Sequence, residues 1–348
     1  MRKKTKIIRC GDILIGGDSP ISVQSMTTTD PRNILGTIEQ IKTLEEVNCD
    51  IVRLAIPNMD SAKALGEIKK SVKMPIVADI HFDYRLALES IDQGVDALRL
   101  NPGNIGEYDR IKKVVKKAKE RNIPIRIGVN GGSLEKDLLA KYGHPTADAL
   151  VESALRHVKI LEDLDFDDIV ISLKASDIKL TVDAYSLISE KVNYPLHLGI
   201  TEAGTVFGGT IKSSIGIGAL LLMGIGDTIR VSLTGSPVEE VKVGREILKS
   251  LGIINDEINI VSCPTCGRCQ IDLINIANNV QDKIKHIKKP IKVAIMGCAV
   301  NGPGEARDAD IGIAGGDKTA LLFKKGEIIK KVSEEDICRV LLEEIDKI

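Results

Sequence analysis

Residues 75–102 read PIVADIHFDYRLALESIDQGVDALRLNP. An apolar, β-branched run (75–82) leads into an amphipathic stretch, and a second such run (97–102) ends at a proline. Strand, helix and strand in so short a span make one β-α-β unit. The alternation recurs from about residue 20 to 250, with strands expected at 21–27, 50–56, 75–82, 97–102, 124–130, 168–174, 195–201 and 228–235. Eight strand–helix units in about 230 residues are the count and size of a (β/α)8 TIM barrel. A doubly wound parallel sheet is the structural alternative. Residues 5–17 (TKIIRCGDILIGG) precede the repeat and read as a hairpin closing the barrel floor.

The repeat ends on a well-marked helix. Ser236 is placed as its N-cap, Pro237 at the first helical position and Glu239 at the third, the pattern of a capping box. Val241, Leu248 and Leu251 share a face, and Gly252 reads as the stop. Residues 1–252 therefore form the expected barrel. Residues 253–348 form a smaller α/β (α+β) domain, closed by a helix that Ser333 caps and that buries Ile337, Val340, Leu341, Ile345 and Ile348.

Composition narrows the partners. Hydrophobic residues are 43% of the 348, aromatics only 3%, and Trp is absent, so the core is aliphatic. A net charge of −1 gives no reason to expect nucleic acid or an acidic membrane as partner. No apolar run approaches the roughly 20 residues of a membrane span, and no signal-peptide stretch follows the basic start, so a cytoplasmic location is expected. The Lys-rich run 112–119 reads as a solvated helix face. Seven cysteines, an odd number, argue against a disulfide framework. Cys10, Cys49 and Cys338 are scattered and read as buried small hydrophobes.

Polar residues sit where the strands end. Asp79 and His81 are two apart, as are Arg99 and Asn101, and Arg230 and Ser232; Arg126 and Asn130 are four apart. Even spacing places each pair on one strand face, and in a barrel the inward residues at the C-terminal strand ends line the active-site mouth. Arg53 and Lys174 fit the same layer, and the seventh strand ends in Thr201-Glu202. Five cations (Arg53, Arg99, Arg126, Lys174, Arg230) thus face two carboxylates, Asp79 and Glu202. An unpaired buried guanidinium costs several kcal/mol, so the surplus asks for an anion. Arginine suits bidentate phosphate contacts, and this much charge points to a diphosphate.

Four cysteines gather in the C-terminal third. Cys263 and Cys266 form a Cys-x-x-Cys turn, Cys269 follows, and Cys298 lies in a glycine-rich segment. Spacing alone allows a four-thiolate site for zinc or for a 4Fe–4S cluster. A barrel transferase of the pterin-binding type with a zinc accessory domain is the alternative enzyme reading. An electron-carrier scaffold is the non-enzymatic one, and it leaves the cations unused.

Cys263-Pro-Thr-Cys-Gly-Arg and Met296-Gly-Cys-Ala-Val-Asn-Gly-Pro-Gly-Glu-Ala look like signatures of the 4-hydroxy-3-methylbut-2-enyl diphosphate synthase family of the methylerythritol phosphate route to isoprenoids. Gln24-Ser-Met-Thr, Ala78-Asp-Ile-His-Phe, Arg99-Leu-Asn-Pro-Gly-Asn-Ile-Gly, Arg126-Ile-Gly-Val-Asn and Gly199-Ile-Thr-Glu-Ala-Gly extend the resemblance over nearly the whole chain. It implies a TIM barrel followed by a cluster domain like that of sulfite and nitrite reductases. It implies two-electron reductive ring opening and dehydroxylation of 2-C-methyl-D-erythritol 2,4-cyclodiphosphate to (E)-4-hydroxy-3-methylbut-2-enyl diphosphate. Ferredoxin or flavodoxin would supply the electrons. The protein would be a homodimer in which one subunit's cluster domain caps the other's barrel. The resemblance assigns the 4Fe–4S cluster to Cys263, Cys266, Cys298 and Glu305, leaving Cys269 out, with the carboxylate keeping one iron exchangeable. It makes Glu202 the proton-transfer residue. It places Arg53, Asp79, His81, Arg99, Asn101, Arg126, Asn130, Lys174, Thr201, Arg230 and Ser232 in the substrate pocket.

Overall fold

The computed structural model describes residues 2–255, 257–284, 287–298 and 307–348. The chain separates into two compact units, Met1–Leu251 and Gly252–Ile348.

In the first unit a two-residue turn joins β1 (Ile8–Cys10) to antiparallel β2 (Ile13–Ile15). Eight parallel strands follow: β3 (Ser22–Met26), β4 (Ile51–Ala55), β5 (Ile76–Asp79), β6 (Ala97–Leu100), β7 (Ile125–Asn130), β8 (Ile169–Lys174), β9 (His197–Leu198) and β10 (Thr228–Ile229). They pair in the order β8-β7-β6-β5-β4-β3-β10-β9. The ring closes between β8 and β9 through the Ile171–Leu196 bridge and a 2.9 Å bond from Ile171 N–H to the Pro195 carbonyl. This is the TIM barrel, with helices between successive strands, and not the open doubly wound sheet.

β9 and β10 are much shorter than the expected 195–201 and 228–235. Pro195 has no N–H to donate, and the Leu196 N–H goes to the Asp227 carboxylate at 2.9 Å, so β9 starts late. The Leu233 N–H goes to Glu240 Oε1 at 3.0 Å, which draws the chain off the ladder after β10.

Cys10 and Ile15 of the hairpin pack on Ile51, Val77 and Ala97 at the starts of three strands, so the hairpin floors the barrel as expected. Between them lies a cavity of about 20 Å³, also lined by Gln24, Pro124, Arg126 and Thr228, with room for about one water. Cys10 and Cys49 are buried, and burial pushes both thiols up to about 12. Cys338 is only half-buried, against the expectation.

The helix Pro237–Ser250 starts as expected, with Ser236 Oγ accepting from Val238 N–H. Glu239 does not turn back to complete a capping box; Lys242 holds it at 2.7 Å. Gly252 takes the left-handed φ of +67° that ends the helix. The lysines of 112–119 lie on the helix Tyr108–Glu120, which buries Val114, Val115 and Ala118 on its other side.

The second unit is a five-stranded sheet in the order β11 (Asn259–Ser262), β12 (Lys292–Met296), β13 (Ile311–Gly316), β14 (Thr319–Lys324) and β15 (Glu327–Ser333). The first three strands are parallel and the last three antiparallel. The helices Leu273–Ile284 and Ile337–Asp346 add Ile276, Val280, Leu341 and Ile345 to a core with Val293, Ile295, Ile313 and Leu322. Ser333 opens a 3-10 turn, its hydroxyl meeting the Asp336 carboxylate at 2.8 Å, and Ile348 is exposed where burial was expected. Among the described residues no helix is long and apolar enough to cross a membrane.

Candidate active site

Parallel register lines Asp79 of β5, Arg99 of β6 and Arg126 of β7 into one row. Barrel strands are tilted and staggered, so a hydrogen-bonded row changes height around the ring. Asp79 is the last residue of its strand, whereas Arg126 is the second of its own and also lines the floor cavity. The cations therefore descend into the barrel, where a single layer at the mouth was expected.

Asp79 is 4% exposed and organises the row. Arg99 Nη1 donates to its Oδ1 at 3.2 Å, while Arg53 Nε and His81 Nε2 stand 3.6 Å from its Oδ2. Burial pushes this carboxyl up, but the Arg53 charge, the nearby His81 ring and the Arg99 charge outweigh it and hold the group well below the usual carboxylate range. Arg99 Nη2 donates to the Gly128 carbonyl at 3.1 Å, and a Cβ on Gly128 would fall 2.4 Å from Arg99 Nε. Only glycine admits the guanidinium there. Asn101 Oδ1 accepts from Gly128 N–H at 2.9 Å and steadies the same strand. His81 itself is mostly exposed.

Arg126 is buried, and burial, reinforced by the Arg99 charge, pushes it down to about 10. Its Nη1 donates to Gln24 Oε1 at 2.7 Å, and its Nη2 has no hydrogen-bond partner among the described residues. Lys174 ends β8 in register with Asn130. Burial, then the charge of Arg230, holds its amine well below the ordinary lysine value. Arg53 lies against the Met26 sulfur at 3.0 Å. Thr201 N–H donates to the Ala175 carbonyl at 3.2 Å, and Thr201 and Ser232 are half-buried.

The second counter-charge differs from the one expected. Glu202 is exposed and, among the described residues, pairs with no cation; its backbone takes the left-handed φ of +52°. The buried carboxylate is Glu240, on the helix Pro237–Ser250. It accepts from Ser25 Oγ at 2.9 Å and lies 3.5 Å from Arg230 Nη2. The signal was available: Pro237, Glu240, Val241, Gly244 and Leu248 share the buried helix face. Gln24 and His197 were also missed. His197 is fully buried, with Nδ1 3.3 Å from Thr228 Oγ1, and burial followed by the Arg126 charge pushes its basicity far down, leaving it neutral.

In the second unit Cys263 follows β11 and Cys298 follows the adjacent parallel β12. Gly297 N–H donates to Cys263 Sγ at 3.2 Å. Backbone and then side-chain hydrogen bonding from Arg268 lowers the Cys266 thiol, and the Arg268 charge also reaches Cys298. The Cys269 thiol is turned to the Ile271 carbonyl at 3.2 Å. Glu305 lies outside the described residues. Among the described residues no three His, Cys, Asp or Glu side chains are gathered for a single metal ion. Thiolate donors suit an iron–sulfur cluster, in which each thiolate binds its own iron.

Comparison with known proteins places both units. The pattern described as GcpE TIM-barrel domain matches residues 5–245, and that described as GcpE protein C-terminal domain matches 259–347. The 4-hydroxy-3-methylbut-2-en-1-yl diphosphate synthase (flavodoxin) of Clostridium acetobutylicum is 64% identical over 345 residues, covering 99% of each chain. That of Clostridium perfringens is 61% identical over 347 residues, covering 100% of this chain and 99% of its own. Among solved structures, Yersinia pestis dihydropteroate synthase aligns at a TM-score of 0.51 and 10% identity, over 71% of this chain and 98% of its own. Geobacillus kaustophilus 3-dehydroquinate dehydratase aligns at 0.50 and 16%, over 72% and 99%. These two likenesses are of fold alone and carry no pterin chemistry across. The full-length matches decide the family: the chain belongs to the GcpE family of 4-hydroxy-3-methylbut-2-en-1-yl diphosphate synthases.

Proposed function

We propose that the barrel binds 2-C-methyl-D-erythritol 2,4-cyclodiphosphate through Arg53, Arg99, Arg126, Lys174 and Arg230, with Asp79, His81, Asn101, Asn130, Thr201 and Ser232 completing the pocket. The chain is an oxidoreductase of isoprenoid biosynthesis, and its reaction is the two-electron ring opening and dehydroxylation to 4-hydroxy-3-methylbut-2-enyl diphosphate. The observation that carries the assignment is the excess of charge: Arg99, Arg126 and Lys174, buried, and Arg53 and Arg230, half-buried, stand against Asp79 and Glu240. Two phosphates supply what the protein omits. Arg53 and Arg99 are held by Asp79, so their guanidiniums are in place before substrate arrives.

A 4Fe–4S cluster on Cys263, Cys266, Cys298 and Glu305 would supply the two electrons singly and a Lewis-acidic iron. Glu202, exposed on its left-handed turn, is the proton-transfer group; a carboxyl there gives its proton to the departing hydroxyl oxygen. A flavodoxin, as in the relatives' names, is the electron donor in preference to a ferredoxin. The protein works in the cytoplasm as a homodimer. Supporting the dimer, the helix Val206–Leu222 exposes Phe207, Ile211, Ile215 and Leu222 along one face.

The test is anaerobic turnover. The purified protein should be brown, hold about four irons per chain, and convert the cyclic diphosphate when given a chemical reductant, with the visible absorption bleaching on reduction and returning on substrate addition. Glu202→Gln should bind substrate with little change and lose most of kcat. A colourless, fully folded protein without iron sinks the reading.

A further inference from the structure

Spacing alone makes Cys269 a candidate cluster ligand and the family resemblance leaves it out; its side chain is engaged elsewhere. Its Sγ donates to the Ile271 carbonyl at 3.2 Å. The sulfur also fills the space beside Gly297: a Cβ built there would lie 2.6 Å from Cys269 Sγ and 3.3 Å from its Cβ. The Gly297 peptide is gripped from both ends. Its carbonyl accepts from Gln270 N–H at 3.0 Å, and its own N–H donates to Cys263 Sγ at 3.2 Å. Across the sheet, a Cβ on Gly315 would come within 2.6 Å of the Gly297 oxygen, so β13 closes the third side.

We propose that Cys269 is a positioning residue: by packing on Gly297 and anchoring to Ile271 it aims the Gly297 N–H at the Cys263 sulfur, and so sets the reduction potential of the cluster without ligating it. This rests on the cluster assignment made above. The physics is general. An N–H donated to a ligating thiolate draws charge from the sulfur and favours the more negative, reduced cluster, which raises the potential. Removing the packing sulfur lets the Gly297 peptide rotate, so the donation lengthens and the potential falls.

The experiment uses the anaerobically purified full-length protein. Cys269→Ala should keep the wild-type iron content per chain, show a more negative midpoint potential, and shift the electron paramagnetic resonance signal of the reduced cluster. Cys269→Ser, which keeps a donor to Ile271, should recover most of the potential. Gly297→Ala alone should disturb the cluster, because its methyl meets the sulfur. Combining Gly297→Ala with Cys269→Gly puts a methyl where the sulfur was, and should restore the signal. Loss of about one iron in four from Cys269→Ala would make Cys269 a ligand and overturn the proposal. An unchanged potential and spectrum would overturn it as well. If the wild type itself carries no cluster, the functional assignment falls; if it does and Cys269→Ala matches it, only this inference falls.

Discussion

The amine of Lys174 is buried at the end of β8 with Arg230, Arg53, Arg126 and Arg99 all acting on it and, among the described residues, no carboxylate in ion-pair range. Burial is the first cause of its lowered basicity and the arginines add to it. The folded-state value thus lies below the unfolded one. Between those two values the unfolded chain holds a proton that the folded chain lacks, so stability rises with pH across that window. An anion beside the amine restores its charge, so diphosphate binding should take up a proton. Calorimetric titrations with the cyclic diphosphate in buffers of different ionisation enthalpy should show this uptake, and identical heats in all buffers would rule it out. Lys174→Met should raise the melting temperature of the ligand-free protein by about 2–4 °C, equivalent to roughly 1 kcal/mol, while weakening ligand binding. The cations were legible because period-two spacing on strands is a local signal. Glu240 was overlooked although it shares the buried helix face with Val241, Gly244 and Leu248, because an acidic residue in the first turn of a helix has its own reason to be there, the helix dipole. Glu202 was read as the counter-charge by its place at a strand end, and its exposure depends on a turn that spacing does not encode.

The joint between β8 and β9 is the thinnest part of the barrel, since a single bridge spans it. Tyr185, on the helix Ile178–Lys191, reinforces it. Its hydroxyl accepts from Leu173 N–H at 3.0 Å on one strand and donates to the His197 carbonyl on the other, and the ring is fully buried. Tyr185→Phe would leave an N–H and a carbonyl without partners inside the barrel, at a cost of about 1–3 kcal/mol. Urea unfolding should show a lower midpoint with an unchanged slope. Tyr194→Phe, whose hydroxyl meets Glu162 near the surface, should move stability by less than about 0.5 kcal/mol. If the two variants are alike, the closure does not depend on the hydroxyl. Strand positions were legible to within three residues through β8, where β-branched runs and ladder coincide. The last two strands were overread because side chains distant in sequence, Asp227 and Glu240, take the N–H groups that would have extended the ladder.

Across the whole molecule, the motifs that named the family lie in order along both units, which is why the architecture could be read ahead of any coordinates; a surface that would join two chains could not. The helix Val206–Leu222 is apolar on its outer face as well as its inner one, with Phe207 80% and Leu222 76% exposed and Ile211 and Ile215 between them. Positions four apart stack on one face, so the stripe runs most of a helix about 25 Å long. Patches of that extent on a soluble protein mark a contact, and a twofold axis across the stripe would set each helix against its copy. A stable pair needs roughly 800 Å² per partner, for which four large side chains supply the apolar centre. Ile211→Lys combined with Ile215→Lys places like charges in that centre without touching the strand ends. Light scattering should give roughly twice 37.7 kDa for the wild type and 37.7 kDa for the double variant. Circular dichroism of the variant should match the wild type. Its melting temperature should lose the dependence on protein concentration that a dimer shows. A double variant that stays dimeric would place the dimer contact elsewhere on the surface.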